Sequence, residues 1–198
     1  MKLILASESS RRKALLETLG ISPLVVPSHV EEKTDMRSKS EDPAEVVTSL
    51  ARKKASKVAK SYPEFLVLGA DTLVVLDGVM LGKPRDPEDA RAMLERLSGR
   101  THLVYTGVAL YHPRTREILT DFDCTRVTMK KLAVDEISWY VGTGEPMDKA
   151  GSYALQGLGA LFVTRIEGDY TSVIGLPLSK TYRLLKRAKV SIEELLKG

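Results

Sequence analysis

Hydroxyls and guanidinium groups crowd one junction near the start of this 198-residue chain. In Leu3–Gly20, LILASESSRRKALLETLG, an apolar strand gives way to a helix carrying Leu15, Leu16 and Leu19 on one side. Ser7, Ser9, Ser10, Arg11 and Arg12 lie between them. A helix N-terminus offers unpaired N–H groups and a positive dipole end, so this composition suits an anion. A serine N-cap followed by solvated basic residues accounts for the same letters. Lys54 raises a related question, because it falls on the apolar stripe of a helix with Val47, Leu50, Ala51 and Val58. A lysine there meets an anion or snorkels out to water. Asp71 interrupts FLVLGADTLVVLDG, Phe65–Gly78, which otherwise reads as a buried strand. A carboxylate in that setting requires a partner, a metal ion or a shifted pKa, unless the strand bulges or ends early. Lys83 stands in a glycine–proline loop, GKP, as a further phosphate contact. The stretch GVMLGK only superficially resembles a P-loop. It is one residue short, and Pro84 replaces the magnesium-binding hydroxyl.

The elements that must hold these residues follow from periodicity and punctuation. Strands are expected at Leu3–Ala6, Pro23–Val26 and Phe65–Gly78, with helices at Ser10–Leu19 and from Asp42-Pro43 to about Lys60. Ser28–Glu41 is polar and reads as a loop. Asp86-Pro87 starts a helix that Gly99 stops. Thr101–Tyr111 and Glu117–Met129 read as a hairpin, Asp135–Val141 as a short helix, and Leu161–Ile166 as a strand after a glycine-rich region. A last helix begins near Pro177. Alternating strands and helices with one hairpin predict an α/β fold, a mixed twisted sheet flanked by helices, over residues 1–198 as a single domain.

Composition narrows the chemistry. No apolar run reaches the length of a membrane span, and the apolar start is too short for a signal-peptide core, so a cytoplasmic protein is expected. The lone Cys124 excludes an internal disulfide. His29, His102 and His112 are too dispersed for a histidine zinc site on one helix. A net charge of +4 suits a small polyanion. It argues little for nucleic acid, since aromatic and basic residues do not interleave. Asn is absent and Gln156 is the one Gln, a depletion that fits heat adaptation and draws attention to YALQGLG.

Ser7-Glu8-Ser9-Ser10-Arg11-Arg12 matches the opening motif S-x-S-x-x-R of the Maf proteins, and the whole chain resembles that family. Further matches are Glu32, Lys54 in ARKKA, GADT at Gly69–Thr72, GKP at Gly82–Pro84, SGRTHLVYTGVAL at Ser98–Leu110, KAGSYALQG at Lys149–Gly157 and GLPL at Gly175–Leu178. They run in order along nearly the whole length. Two positions depart from the pattern: Ser10 replaces a usual Pro, and Ser172 an Asn.

The resemblance implies a two-lobed, inosine-triphosphatase-like fold and a nucleoside triphosphate pyrophosphatase, which cleaves between the α- and β-phosphates. Arg11, Thr72 and Gln156 are of the type found in the subgroup acting on dTTP and UTP, with modified pyrimidine nucleotides left open. The resemblance assigns phosphate binding to Ser7, Ser9, Arg12, Lys54 and Lys83. It makes Asp71 the proton acceptor, a metal ligand, or both, with Glu32 as a second ligand for Mg²⁺ or Mn²⁺. It also implies a homodimer, for which Trp139, Tyr140 and the last helix supply either a face or simply core. A nucleotide-binding regulator of cell division with little hydrolysis is the alternative.

Overall fold

The computed structural model describes residues 1–30 and 41–196. The chain runs β1 (Leu3–Leu5), α1 (Ser10–Glu17), β2 (Leu24–Val25), α2 (Pro43–Ser61), β3 (Leu66–Leu76) and β4 (Val79–Leu81). It continues through α3 (Pro87–Leu97), β5 (Thr101–Tyr111), β6 (Ile118–Met129) and α4 (Val134–Gly142). Three short 3₁₀ turns between Glu145 and Phe162 lead into β7 (Val163–Glu167), and α5 (Tyr170–Ile174), α6 (Leu178–Arg187) and α7 (Ile192–Leu196) follow. The capping signals act as expected. The Asp42 carboxylate accepts from the Ala44 amide at 3.0 Å, and the Asp86 carboxylate from the Asp89 amide at 2.7 Å.

The strands make one mixed sheet in the order β2-β1-β3-β5-β6-β7, with β4 paired to β3 outside that path. β1 lies parallel to β2 and β3, while the remaining pairs are antiparallel. β4 went unrecognised in the sequence, although Asp77-Gly78 is a hairpin signal. Both residues have positive φ, 52° and 74°, as a two-residue primed turn requires. α5 and α7 also went unrecognised, being too short for periodicity to register.

The long strand β3 organises the molecule. Along one edge it pairs with β5 from Val67 to Val75. Along the other, β1 covers Leu66–Leu68 and β4 covers Val74–Leu76. Between them the edge is split, because β1 ends at Leu5 and the chain turns away toward α1. The strand's faces are divided too. Leu66, Leu68 and Ala70 pack with Leu15, Leu16 and Leu184 in one core. Val74 and Leu76 pack with Ala90, Leu94 and Tyr140 in another. On the opposite face, Val67 meets Ala51, Ala55 and Val58, and Leu73 and Val75 meet Val47. That face belongs to α2.

Two glycines set the spacing of α2 from the sheet. A Cβ on Gly69 would stand 2.4 Å from the Ala51 carbonyl oxygen, and one on Gly107 would stand 2.4 Å from that of Val47. The helix backbone therefore rests directly on β3 and β5.

Candidate active site

The split in the sheet edge opens a cleft of about 570 Å³, within the usual range of small-molecule sites. Of the residues that the sequence singles out, Ser7, Ser9, Arg11, Arg12, Lys54, Asp71, Thr72 and Lys83 all line it. Gln156 does not; it is exposed, although Leu155 beside it reaches the wall. Glu32 lies outside the described residues. Lys149 lines the cleft as well and went unrecognised, despite standing inside a motif that the sequence displays.

The two charges flagged separately on α2 and β3 belong to one pair. Lys54 Nζ donates to Asp71 Oδ1 at 2.6 Å, and the residues are 5% and 4% exposed. Lys54 does not snorkel. Asp71 sits in unbroken strand, opposite Gly107, so the bulge and early-end readings fall away. The close approach permitted by Gly69 and Gly107 puts the lysine, on a stripe with Val47, Ala51 and Val58, within reach of the carboxylate. Each ion would be costly alone in this setting, and together they are compensated.

Thr72, one residue on, faces the opposite side. Its hydroxyl lies 3.0 Å from that of Thr106, its partner across β5. Thr106 donates to the Ser172 carbonyl at 2.8 Å. Arg12 closes the group, with Nη2 donating to Thr72 Oγ1 at 3.2 Å, Nη1 to Ser7 Oγ at 3.0 Å and Nε to the Gly175 carbonyl at 2.7 Å. The guanidinium is thus oriented by three separate segments before any ligand arrives. Ser172 Oγ itself is buried, with no hydrogen-bond partner among the described residues.

The serine junction departs from the capping reading. Ser9 occupies the N-cap position of α1, yet its side chain makes no cap hydrogen bond, and the first turn carries no acidic residue. Its backbone amide instead donates to Ser7 Oγ at 3.2 Å. The α1 N-terminus opens into the cleft beside Arg11, which pairs with Asp148 at 3.7 Å. Asp148 also meets Lys149, and these two cations, with burial opposing them, bring its carboxyl below the ordinary range. Among the described residues, five Lys and Arg side chains line the cleft against three carboxylates, Glu8, Asp71 and Asp148.

The loop carrying Gln156 is tied down from beneath. Glu145 accepts from the Leu158 and Gly159 amides, both at 3.0 Å, and from the Tyr140 hydroxyl at 2.9 Å. Tyr140 Oη also accepts from the Ala154 amide at 3.2 Å. Burial pushes the Glu145 pKa up, but the two amides, Tyr140 and Lys149 outweigh it, and the net direction is down. Sequence reasoning passed over Glu145, which stands inside the glycine-rich region itself, 13 residues before the Leu158 amide that it accepts from. Behind the cleft wall, His102 is buried against the Tyr153 hydroxyl at 2.8 Å, and desolvation lowers its pKa to about 4. Tyr140 is fully buried in the core, whereas Trp139 is 50% exposed.

Residues 2–188 match the sequence model of the family described as Maf-like protein. Among similar proteins is a dTTP/UTP pyrophosphatase of Syntrophus aciditrophicus, 50% identical over 93% of this chain and 89% of that protein. One of the same name from Thermoanaerobacter sp. is 47% identical over 94% of this chain and 96% of its own length. A third, from Bacillus cytotoxicus, is 50% identical over 94% and 95%. The solved Staphylococcus aureus Ham1 protein matches at a TM-score of 0.43 and 12% identity, over 65% of this chain and 72% of that one, a likeness too loose to define the fold.

Proposed function

The chain belongs to the Maf-like protein family, and from that premise we propose that its cleft hydrolyses dTTP and UTP to the nucleoside monophosphate and pyrophosphate. It is a nucleoside triphosphate pyrophosphatase that removes nucleotides from the pool. The observation that carries this reading is the buried Asp71 carboxylate, held at 2.6 Å by Lys54 in a cleft where Lys and Arg outnumber carboxylates among the described residues. A triphosphate brings about four negative charges at neutral pH, which guanidinium, ammonium and amide donors must match. Arg12, Lys83, Ser7, Ser9 and the α1 N-terminus would grip the phosphate chain. Lys54 fixes the direction in which Asp71 points. Asp71 takes a proton from the attacking water as its oxygen bonds to the α-phosphorus, and pyrophosphate departs with the bridging oxygen. Arg11 and Gln156 are assigned to the nucleoside.

Among the described residues no three His, Cys, Asp or Glu side chains gather as a metal cage. Mg²⁺ is commonly held by one or two carboxylates together with substrate phosphates, and Asp71 in this cleft suits that mode, with Glu32 as the second carboxylate. The metal, when bound, would lower the phosphate charge. No helix among the described residues is long and apolar enough to cross a membrane. The reading also includes a cytoplasmic homodimer that engages no nucleic acid, with exposed Trp139 as the residue to examine at its interface.

The decisive experiment is pyrophosphate release from a panel of nucleoside triphosphates with Mg²⁺ or Mn²⁺, and again after chelation. Release from dTTP and UTP, lost on chelation and restored by metal, is expected. Binding of UTP without release would favour the regulator of cell division instead.

A further inference from the structure

We propose that Thr106 is a positioning residue that fixes Thr72 as a hydrogen-bond acceptor, so that Thr72 recognises a donor on the nucleoside and not an oxygen of the triphosphate. The inference rests on the cleft being a nucleotide site. It follows from counting protons along the group that joins Arg12 to Ser172.

A hydroxyl has one proton and two lone pairs. The Ser172 carbonyl can only accept, so the 2.8 Å contact consumes the Thr106 proton. Thr106 Oγ1 must therefore accept in its 3.0 Å contact with Thr72, whose own proton is spent there. The other end imposes the same order. The Arg12 guanidinium can only donate, so Thr72 Oγ1 accepts from Nη2 at 3.2 Å. Both ends dictate one direction: Arg12 to Thr72, Thr72 to Thr106, Thr106 to the Ser172 carbonyl. Thr106 and Ser172 are fully buried, so water does not compete for these positions.

Thr72 is half-buried and lines the cleft, and one lone pair is its remaining capacity. Phosphate oxygens are acceptors and gain nothing from it. A matching partner must present N–H or O–H. Thymidine and uridine nucleotides share two such groups, the N3–H of the base and the 3′-hydroxyl. Cytidine nucleotides keep the 3′-hydroxyl but have an acceptor at N3.

The test pairs substrate analogues with substitutions. Pyrophosphate release is measured from UTP, 3-methyl-UTP and 3′-deoxy-UTP, using the unmodified protein, Thr106→Val and Thr106→Ser. In the unmodified protein one analogue should lose roughly tenfold or more in kcat/KM, as sites built around a donor reject analogues lacking it. Loss with 3-methyl-UTP assigns the donor to the base; loss with 3′-deoxy-UTP assigns it to the sugar. In Thr106→Val the Thr72 proton is released from its partner, and that penalty should shrink severalfold. Thr106→Ser, which keeps the hydroxyl, should retain it. A Thr106→Val protein that is slower on every substrate with an unchanged penalty has lost only structure, and overturns the proposal. Equal use of both analogues by the unmodified protein overturns it too. Should Thr106→Val fail to fold, Thr72→Val serves, and an undiminished penalty there is equally fatal. Absence of any release from UTP would fell the functional reading itself, and this inference with it.

Discussion

Asp71 and Thr72 are consecutive on β3, yet they meet the problem of a buried polar group in different ways. On the α2 face, Asp71 meets the opposite charge of Lys54 at 2.6 Å. On the other face, Thr72 joins a relay of neutral hydroxyls ending on a carbonyl, with Arg12 at its open end. The ion pair relies on complementary charge and tolerates little change in either member. The relay relies on the order of its protons, and no single bond in it dominates. Under the proposed function, the charged face would supply chemical reactivity and the hydroxyl face orientation. The strand can serve both because its edge is open between β1 and β4, leaving neighbouring residues at a cleft instead of under another strand.

The largest effect should follow from removing the Asp71 carboxylate. Asp71→Asn should lower kcat by about 10²–10⁴-fold while the circular dichroism spectrum stays native, and a loss under about threefold would remove Asp71 from the chemistry. Lys54→Met tests compensation on the same face. Breaking a buried pair from one side costs about 3–5 kcal/mol, which is roughly 6–20 °C in melting temperature for a chain of this size. Adding Asp71→Leu should restore most of that loss, and a single mutant that melts normally would show that the pair contributes nothing to stability.

Gly69→Ala strains the same face without touching its charges. The new methyl meets the α2 backbone, at a cost of about 1–3 kcal/mol. Lifting the helix should draw Lys54 from Asp71 and reduce kcat more than it raises KM; a purely thermal effect would separate helix spacing from catalysis. Glu145 represents a third solution, a carboxylate satisfied chiefly by backbone amides. Its pKa is held down, so its stabilisation is complete above the ordinary glutamate range and is lost as pH falls through that range and below. Glu145→Gln should therefore cost roughly 1–2 kcal/mol at neutral pH, and the gap from the parent should narrow as pH falls below the ordinary glutamate range. A gap independent of pH would contradict this. The smallest effect concerns the serine junction. Ser9→Ala should alter stability by less than about 0.5 kcal/mol, because no cap bond is lost, while the KM for UTP rises. A loss near 1 kcal/mol with unchanged KM would return Ser9 to the role of an ordinary cap.

The sequence marks Lys54 and Asp71 as costly charges because each breaks an apolar pattern. Their union is invisible to periodicity, since it depends on how closely α2 can approach β3. Gly69 and Gly107 record that closeness, but a glycine in a strand has several explanations, and the steric one needs coordinates. The hairpin β5–β6 is readable from alternation, whereas the alignment that puts Thr72 opposite Thr106 is a matter of register between β3 and β5. β4 could have been found from Asp77-Gly78. The stretch Gly144–Phe162 could not, because 3₁₀ turns have no face pattern to detect. Gln156 drew attention by its rarity, and its exposed position beyond the cleft wall follows from those turns.

Arg12 has one tether whose consequence concerns the making of the protein. Its Nε donates to the carbonyl of Gly175, across 163 residues of chain. Lys54 and Asp71, 17 residues apart, can meet soon after both leave the ribosome. Arg12 must wait for almost the entire message to be translated before that tether can form. A growing chain thus holds both members of its charge pair early but can orient Arg12 only near the end of synthesis, so a nascent or truncated polypeptide lacks the complete arrangement of the cleft.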